Sequence, residues 1–210
     1  MTEPLVDRAE VDAAFQALAQ RLHVQGLHGE LYVFGGTSMV YLGARDATHD
    51  VDSRIDRAHG ALIEAAHAIA DERGWPRSWM NEQGTPYLPS TRDARPSVVF
   101  SAPGLVVRSA SPEVLLAMKA SSLRKVDLRD VVFLAEYLGL RSAQEIVAIH
   151  DRWYPGQPLS DDHCAQLDDV EAILTTRSSR AIPDLAPLLR RASALRMRRD
   201  TPDGGPTLGR

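Results

Sequence analysis

A short apolar run, Leu31 to Phe34, leads straight into Gly35-Gly36-Thr37-Ser38, and fourteen residues after Gly36 stands Asp50-Val51-Asp52. The apolar run predicts a buried strand, and the paired glycines a tight turn. Thr37 to Leu42 reads as the first turns of a helix that begins at the turn. Thr48 to Ile55, with Val51 and Ile55 apolar and Asp50 and Asp52 polar, reads as a second strand.

Residues i and i+2 of a strand point to one side, so the spacing predicts that Asp50 and Asp52 converge while Val51 enters the core. Two like charges so close repel and raise one pKa. A divalent cation between them removes the conflict, and hard oxygen ligands suit Mg²⁺ or Mn²⁺. Alone, an Asp-x-Asp pair is commonly just two solvent-facing aspartates at a strand end. The Gly35-Gly36 turn adds to it: glycine lets backbone approach a ligand closely, the opening amides of a helix can face a phosphate, and Ser38 could add a hydroxyl donor. Arg45 and His49 lie between turn and pair and could reach phosphate; His49 has no partner at a zinc spacing.

The other elements follow from periodicity and punctuation. Residues 9 to 24 form an amphipathic helix through Val11, Ala14, Phe15, Leu18 and Leu22. Residues 58 to 72 form a second, stopped by Gly74 and Pro76. Residues 75 to 96 read as an irregular connection. Ser97 to Phe100 and Leu105 to Val107 suit a hairpin around Pro103-Gly104. Ser111-Pro112-Glu113 starts a helix through Lys119. Helices are expected over 128 to 137, 142 to 152, 160 to 174 and 184 to 196, and the last ten residues have little means to fold. The order implies an α/β or α+β arrangement: a small mixed sheet with flanking helices over residues 1–110, a helical part over 111–198 and a tail over 199–210.

Apolar residues make up 44%, enough for a sizeable core, but aromatics only 6%. A single cysteine, Cys164, cannot form an internal disulfide, which fits a reducing compartment. No stretch approaches the roughly 18 apolar residues of a membrane helix, and no apolar signal segment is evident, so the chain is expected in the cytoplasm without membrane contact. The net charge of −4 argues against nucleic acid, yet residues 177 to 210 hold eight Arg against three Asp. A basic end on an acidic body suits a phosphate backbone or an acidic partner, or is an ordinary solvated tail.

The stretch Gly35-Gly36-Thr37-Ser38 through Arg45 to Asp52 resembles the signature of the polymerase-beta-like nucleotidyltransferase superfamily. Trp79-Met80-Asn81, the hairpin, Ser111 to Lys119, Arg124, Asp127 and Asp130 are similar, more narrowly, to the nucleotidyltransferase toxins of the AbiE and MenT type. The likeness covers roughly residues 30 to 155 and implies a nucleoside triphosphate substrate, with Gly35, Gly36, Ser38, Arg45 and Lys119 at its phosphates. It further implies Asp50 and Asp52 on the metal, Lys119 and Asp127 as further catalytic residues, and His49, Arg124 and Asp130 in support. Toxins of this branch move nucleotides, in several cases to the 3′ end of tRNA, and are paired with an antitoxin protein. Two departures matter: members often carry a third carboxylate on the strand after the pair, and Ser97 to Phe100 and Leu105 to Val107 hold none; and the gap from Lys119 to Asp127 is shorter than in the better-known toxins. Each later residue also has a plainer reading. Lys119 can snorkel from a packed helix, Arg124 to Asp130 can form a surface ion network, and Trp75, Trp79, Tyr87 and Trp153 can be packing residues. The acceptor hydroxyl could belong to RNA, a protein or a small molecule, and a weakly catalytic binding module is the rival outside enzymes.

Overall fold

The computed structural model describes residues 5–181, with side chains to 177. It is an α+β fold: a small mixed sheet flanked by helices, followed by a mainly helical C-terminal region. Strand β1 (Val6–Asp7) leads into helix α1 (Arg8–Val24), whose start is secured by a capping box between Asp7 and Glu10. Strand β2 (Gly29–Val33) ends at the glycine turn, which opens the short helix α2 (Gly35–Tyr41). Then come β3 (Ala47–Thr48), β4 (Val51–Arg57) and α3 (His59–Arg73). Strand β5 (Met80–Asn81) and the hairpin β6 (Ser97–Ala102) and β7 (Leu105–Ser109) complete the strands. Helices α4 (Pro112–Ser122), α5 (Leu128–Leu138), α6 (Ala143–Trp153) and α7 (Asp161–Ala181) follow. Among the described residues no helix is long and apolar enough to cross a membrane. The helix expected over 184 to 196 and the tail from 199 lie outside the described residues.

The main sheet has the order β5-β4-β2-β7-β6. β2 runs antiparallel to β4 and parallel to β7, β4 is parallel to β5, and β6 is antiparallel to β7. One face carries Leu31, Val33, Val51, Leu105 and Val107 onto Phe15, Leu18 and Leu22 of α1 and Leu62 and Ile69 of α3. The other face carries Tyr32 and Phe34 onto a second core built from α4 to α7 with Leu115, Leu116, Leu134 and Ile146. The sheet is thus the shared wall between two apolar clusters, and it projects its functional side chains where the second covering is incomplete.

Two expectations need correction. The strand over 48 to 55 is broken: Ala47–Thr48 pairs with β1, and β4 begins only at Val51. Asp50 therefore stands in the turn ahead of the strand, not on it. The connection over 75 to 96 also contains β5, whose residues pair Val51 with Met80 and Asp52 with Asn81. Two residues are too few to produce a period-2 pattern, so only the pairing reveals this strand.

Candidate functional site

The centre is the junction of the glycine turn with the start of β4. Gly35 has φ +62, a left-handed conformation that favours glycine, and a Cβ there would fall on Asp52 Oδ2. A Cβ at Gly36 would fall on Thr48 Oγ1. Both glycines thus serve a close approach of backbone to side chains around the carboxylate. Hydrogen bonds tie the pieces together. The Phe34 amide donates to the Asp52 carbonyl at 3.1 Å. Thr37 and Thr48 hydroxyls both donate to the Asp50 carbonyl, at 3.0 and 3.1 Å, which fills that oxygen's two lone pairs. Asp50 lies off the strand, yet its backbone is pinned from two sides.

Ser38 is not at the surface of this cradle. It is fully buried, donates to the Val33 carbonyl at 3.0 Å and accepts from Ser109 Oγ at 2.8 Å. Its hydroxyl proton is spent inside the protein, so it secures the turn to β2 and β7 and offers no donor to a phosphate.

Asp52 is the perturbed carboxylate. Burial, and then the charge of Asp50, push its pKa up from 3.8 to about 6, while Lys119 and Arg124 pull it back. Burial is the larger cause and the neighbouring Asp50 charge the second. The shift also shows that α4 and the α4–α5 connection bring their cations to bear on Asp52.

The helical residues converge as a network. Lys119, at the end of α4 and buried, donates to Asp127 at 2.6 Å and meets Asp130 at 3.0 Å. Asp127 also accepts from Arg124 Nε at 2.8 Å and Ser122 Oγ at 3.1 Å. Burial alone would raise the Asp127 pKa, but hydrogen bonds from Arg124 and Lys119 outweigh it and hold the carboxyl at about 2. Asp130 receives Arg45 in a two-pronged contact of 3.0 and 2.6 Å. This is no surface network, and its members divide by what they have left to offer. Asp127 and Asp130 have their oxygens committed to cations, and a carboxyl at about 2 is a poor base. Lys119 has one proton left. Arg124 is well exposed and only partly used, so it, rather than Lys119, is the accessible cation beside Asp52. Arg45 is turned toward Asp130.

His49 is exposed on the rim of a small cavity of about 90 Å³, shared with Asp50, Ser78, Trp79, Asn81 and Gln83. Asn81 is the residue that sequence reasoning undervalued: its Nδ2 donates to Asp50 Oδ2 at 3.0 Å. The register of β5 against β4 is what makes it visible, and no local pattern encodes that. Trp79 is a core residue, 2% exposed with Nε1 on the Ala66 carbonyl, and Trp75 packs edge-on against it. Trp153 is buried in the helical core, but Tyr87 is exposed, contrary to a packing role.

No family model, no curated protein sequence and no solved structure matches this chain. Among the described residues no group of three or more His, Cys, Asp or Glu side chains is arranged to hold a metal, so any cation here relies on Asp50 and Asp52 plus oxygens from elsewhere, such as phosphates.

Farther along the same face of β4 is a cleft of about 800 Å³. Arg54 lies two residues beyond Asp52, about 7 Å along the strand. Its guanidinium sits 4.8 Å from the Tyr32 ring centroid and is tied to Asp56. Arg108 pairs with Glu30. The far wall is the segment through Asp93, which accepts from Tyr32 Oη and the Ser111 amide.

Proposed function

We propose that this chain is a nucleotidyltransferase that moves a nucleoside monophosphate from a nucleoside triphosphate to an acceptor hydroxyl. The observation that carries the reading is Asp52. It is a desolvated carboxylate, crowded by Asp50, closed over by the Gly35 backbone and flanked by Lys119 and Arg124. Two carboxylates beside two cations suit a ligand that is itself polyanionic and brings a divalent cation. Asp50 and Asp52 would hold Mg²⁺ or Mn²⁺, which, when bound, supplies charge neutralisation and alignment of the phosphates.

The protein's own part is positioning and electrostatics, the main resources of phosphoryl chemistry. The exposed guanidinium of Arg124 would face developing negative charge on the departing pyrophosphate, and the buried Lys119 would add its charge from behind the Asp127 and Asp130 carboxylates. Asp127 and Asp130 hold those cations, and Arg45 behind them, in fixed directions. In-line displacement requires the acceptor oxygen to enter opposite the leaving group. With Arg124 at the leaving group, the acceptor would enter from the Arg54 cleft, which lies farther along β4 from Asp52. The acceptor oxygen bonds to the α-phosphorus, the bond from that phosphorus to the bridging oxygen breaks, and the hydroxyl proton passes to solvent.

The flat Arg54 guanidinium, backed by Tyr32, suits a planar base, a common mode in single-strand recognition. This observation favours an RNA 3′ hydroxyl, with tRNA as the first candidate, over a protein or small alcohol. A cytoplasmic toxin paired with a cognate antitoxin is the biological setting of the same reading. The deciding experiment incubates the protein with each α-labelled nucleoside triphosphate, magnesium and total RNA. Label on tRNA that disappears in Asp52→Asn supports the proposal. No transfer from any of the four nucleotides to RNA or to protein refutes it.

A further inference from the structure

We propose that Asn81 is a positioning residue for Asp50 and that its amide restricts the site to one divalent cation. This rests on the reading of Asp50 and Asp52 as a cation pair. Asn81 lies opposite Asp52 in the parallel pairing of β5 with β4, and Ser53 Oγ anchors its carbonyl at 3.2 Å. The side chain has no freedom to turn over. Oδ1 accepts the Gln83 amide at 3.0 Å, which identifies the oxygen end independently of the Asp50 contact. Nδ2 must then face the other way, and it spends one proton on Asp50 Oδ2 at 3.0 Å and points the other at the Ser78 carbonyl at 3.4 Å.

Two consequences follow. First, Asp50 Oδ2 is claimed by a neutral donor, so Asp50 offers a cation its other oxygen in a fixed direction. Second, Asn81, the strand neighbour of Asp52, turns an N–H donor rather than an oxygen toward Asp50, and a donor there repels a cation. Sites that clamp both attacking and leaving oxygens use two cations about 3.5–4 Å apart bridged by carboxylates. With two carboxylates, one of them half occupied by an amide donor, this site has oxygens for one.

The test is Mn²⁺ binding to metal-stripped protein without nucleotide, read by the loss of the free-ion electron paramagnetic resonance signal and by calorimetry. Wild type is expected to bind one Mn²⁺ per chain. Asn81→Ala is expected to keep that stoichiometry with an affinity 10- to 100-fold weaker, the usual loss when a partner behind a metal ligand is removed. Asn81→Asp supplies the missing carboxylate and is expected to bind a second Mn²⁺. Two ions of comparable affinity on wild type would overturn the inference, a result that does not depend on either variant folding. An Asn81→Ala affinity equal to wild type, with binding lost in Asp52→Asn, would remove Asn81's role and leave the cation pair standing. Binding unaffected by Asp52→Asn would overturn the cation pair itself, and this inference with it.

Discussion

Replacing Asp52 with Asn should make the metal-free protein more stable at neutral pH. The Asp52 pKa rises from 3.8 to about 6 on folding because burial and Asp50 disfavour its charged form. The folded state therefore holds this proton more tightly than the unfolded state. Below about pH 4 both states are protonated and the group costs nothing. Between 4 and 6 the unfolded chain releases its proton first, and stability falls as pH rises. Above 6 the full cost is present. A difference of roughly two pH units at about 1.4 kcal/mol each puts that cost at about 3 kcal/mol. Asn carries no charge and has nearly the same shape, so Asp52→Asn should recover most of it. For a chain of this size that corresponds to a rise in Tm of roughly 6–12 °C. The assay is urea and thermal unfolding of both proteins in chelator, from pH 4 to 8. The two stabilities should converge near pH 4 and separate progressively up to pH 6.5, with the variant higher and inactive. A variant equally or less stable at pH 7.5 would refute the account of Asp52 as a desolvated carboxylate. Saturating Mg²⁺ should narrow the gap by stabilising wild type alone.

Lys119→Ala should lower stability by about 1–3 kcal/mol and reduce transfer, because the buried Asp127 then keeps only Arg124 and Ser122, and Asp130 only Arg45; chemical denaturation checks this, and an unchanged midpoint would show that the pairs carry no weight. Arg124→Ala should lower stability by about 1–3 kcal/mol, since the buried Asp127 loses a charge-assisted hydrogen bond that offsets its burial, and cut single-turnover transfer roughly 10²- to 10³-fold if it faces the leaving group. Gly36→Val should destroy nucleotide affinity by forcing Thr48 out of place, whereas Ser38→Ala should act on stability alone; calorimetric titration with a nucleoside triphosphate in magnesium separates the two. Arg54→Ala should raise the KM for the acceptor while leaving nucleoside triphosphate binding unchanged, and a matching loss of both would place the cleft on the donor side.

What could be read from the amino-acid order was whatever local chemistry dictates. The turn at Gly35-Gly36 is required by a positive φ and by space that tolerates no Cβ, and both demands appear as glycine in the sequence. Helix α1 announces itself by its apolar spacing, α4 by Ser111-Pro112, and the β6–β7 hairpin by Pro103-Gly104 between apolar runs. The closeness of Asp50 and Asp52 was legible in their spacing, but not that Asp50 stands ahead of β4 rather than on it. The remainder depends on partners far apart in the chain. Arg45 and Asp130 are separated by 85 positions and Asp50 and Asn81 by 31, so no window along the sequence contains both members. Burial likewise decided the part played by Ser38, whose hydroxyl suits a phosphate until Val33 and Ser109 claim it. It decided that of Lys119 too, which closes onto two carboxylates only when α5 packs beside α4. Side-chain type sets which bonds a residue can make; the packing of the sheet against two helical layers sets which of them remain to be made with a ligand.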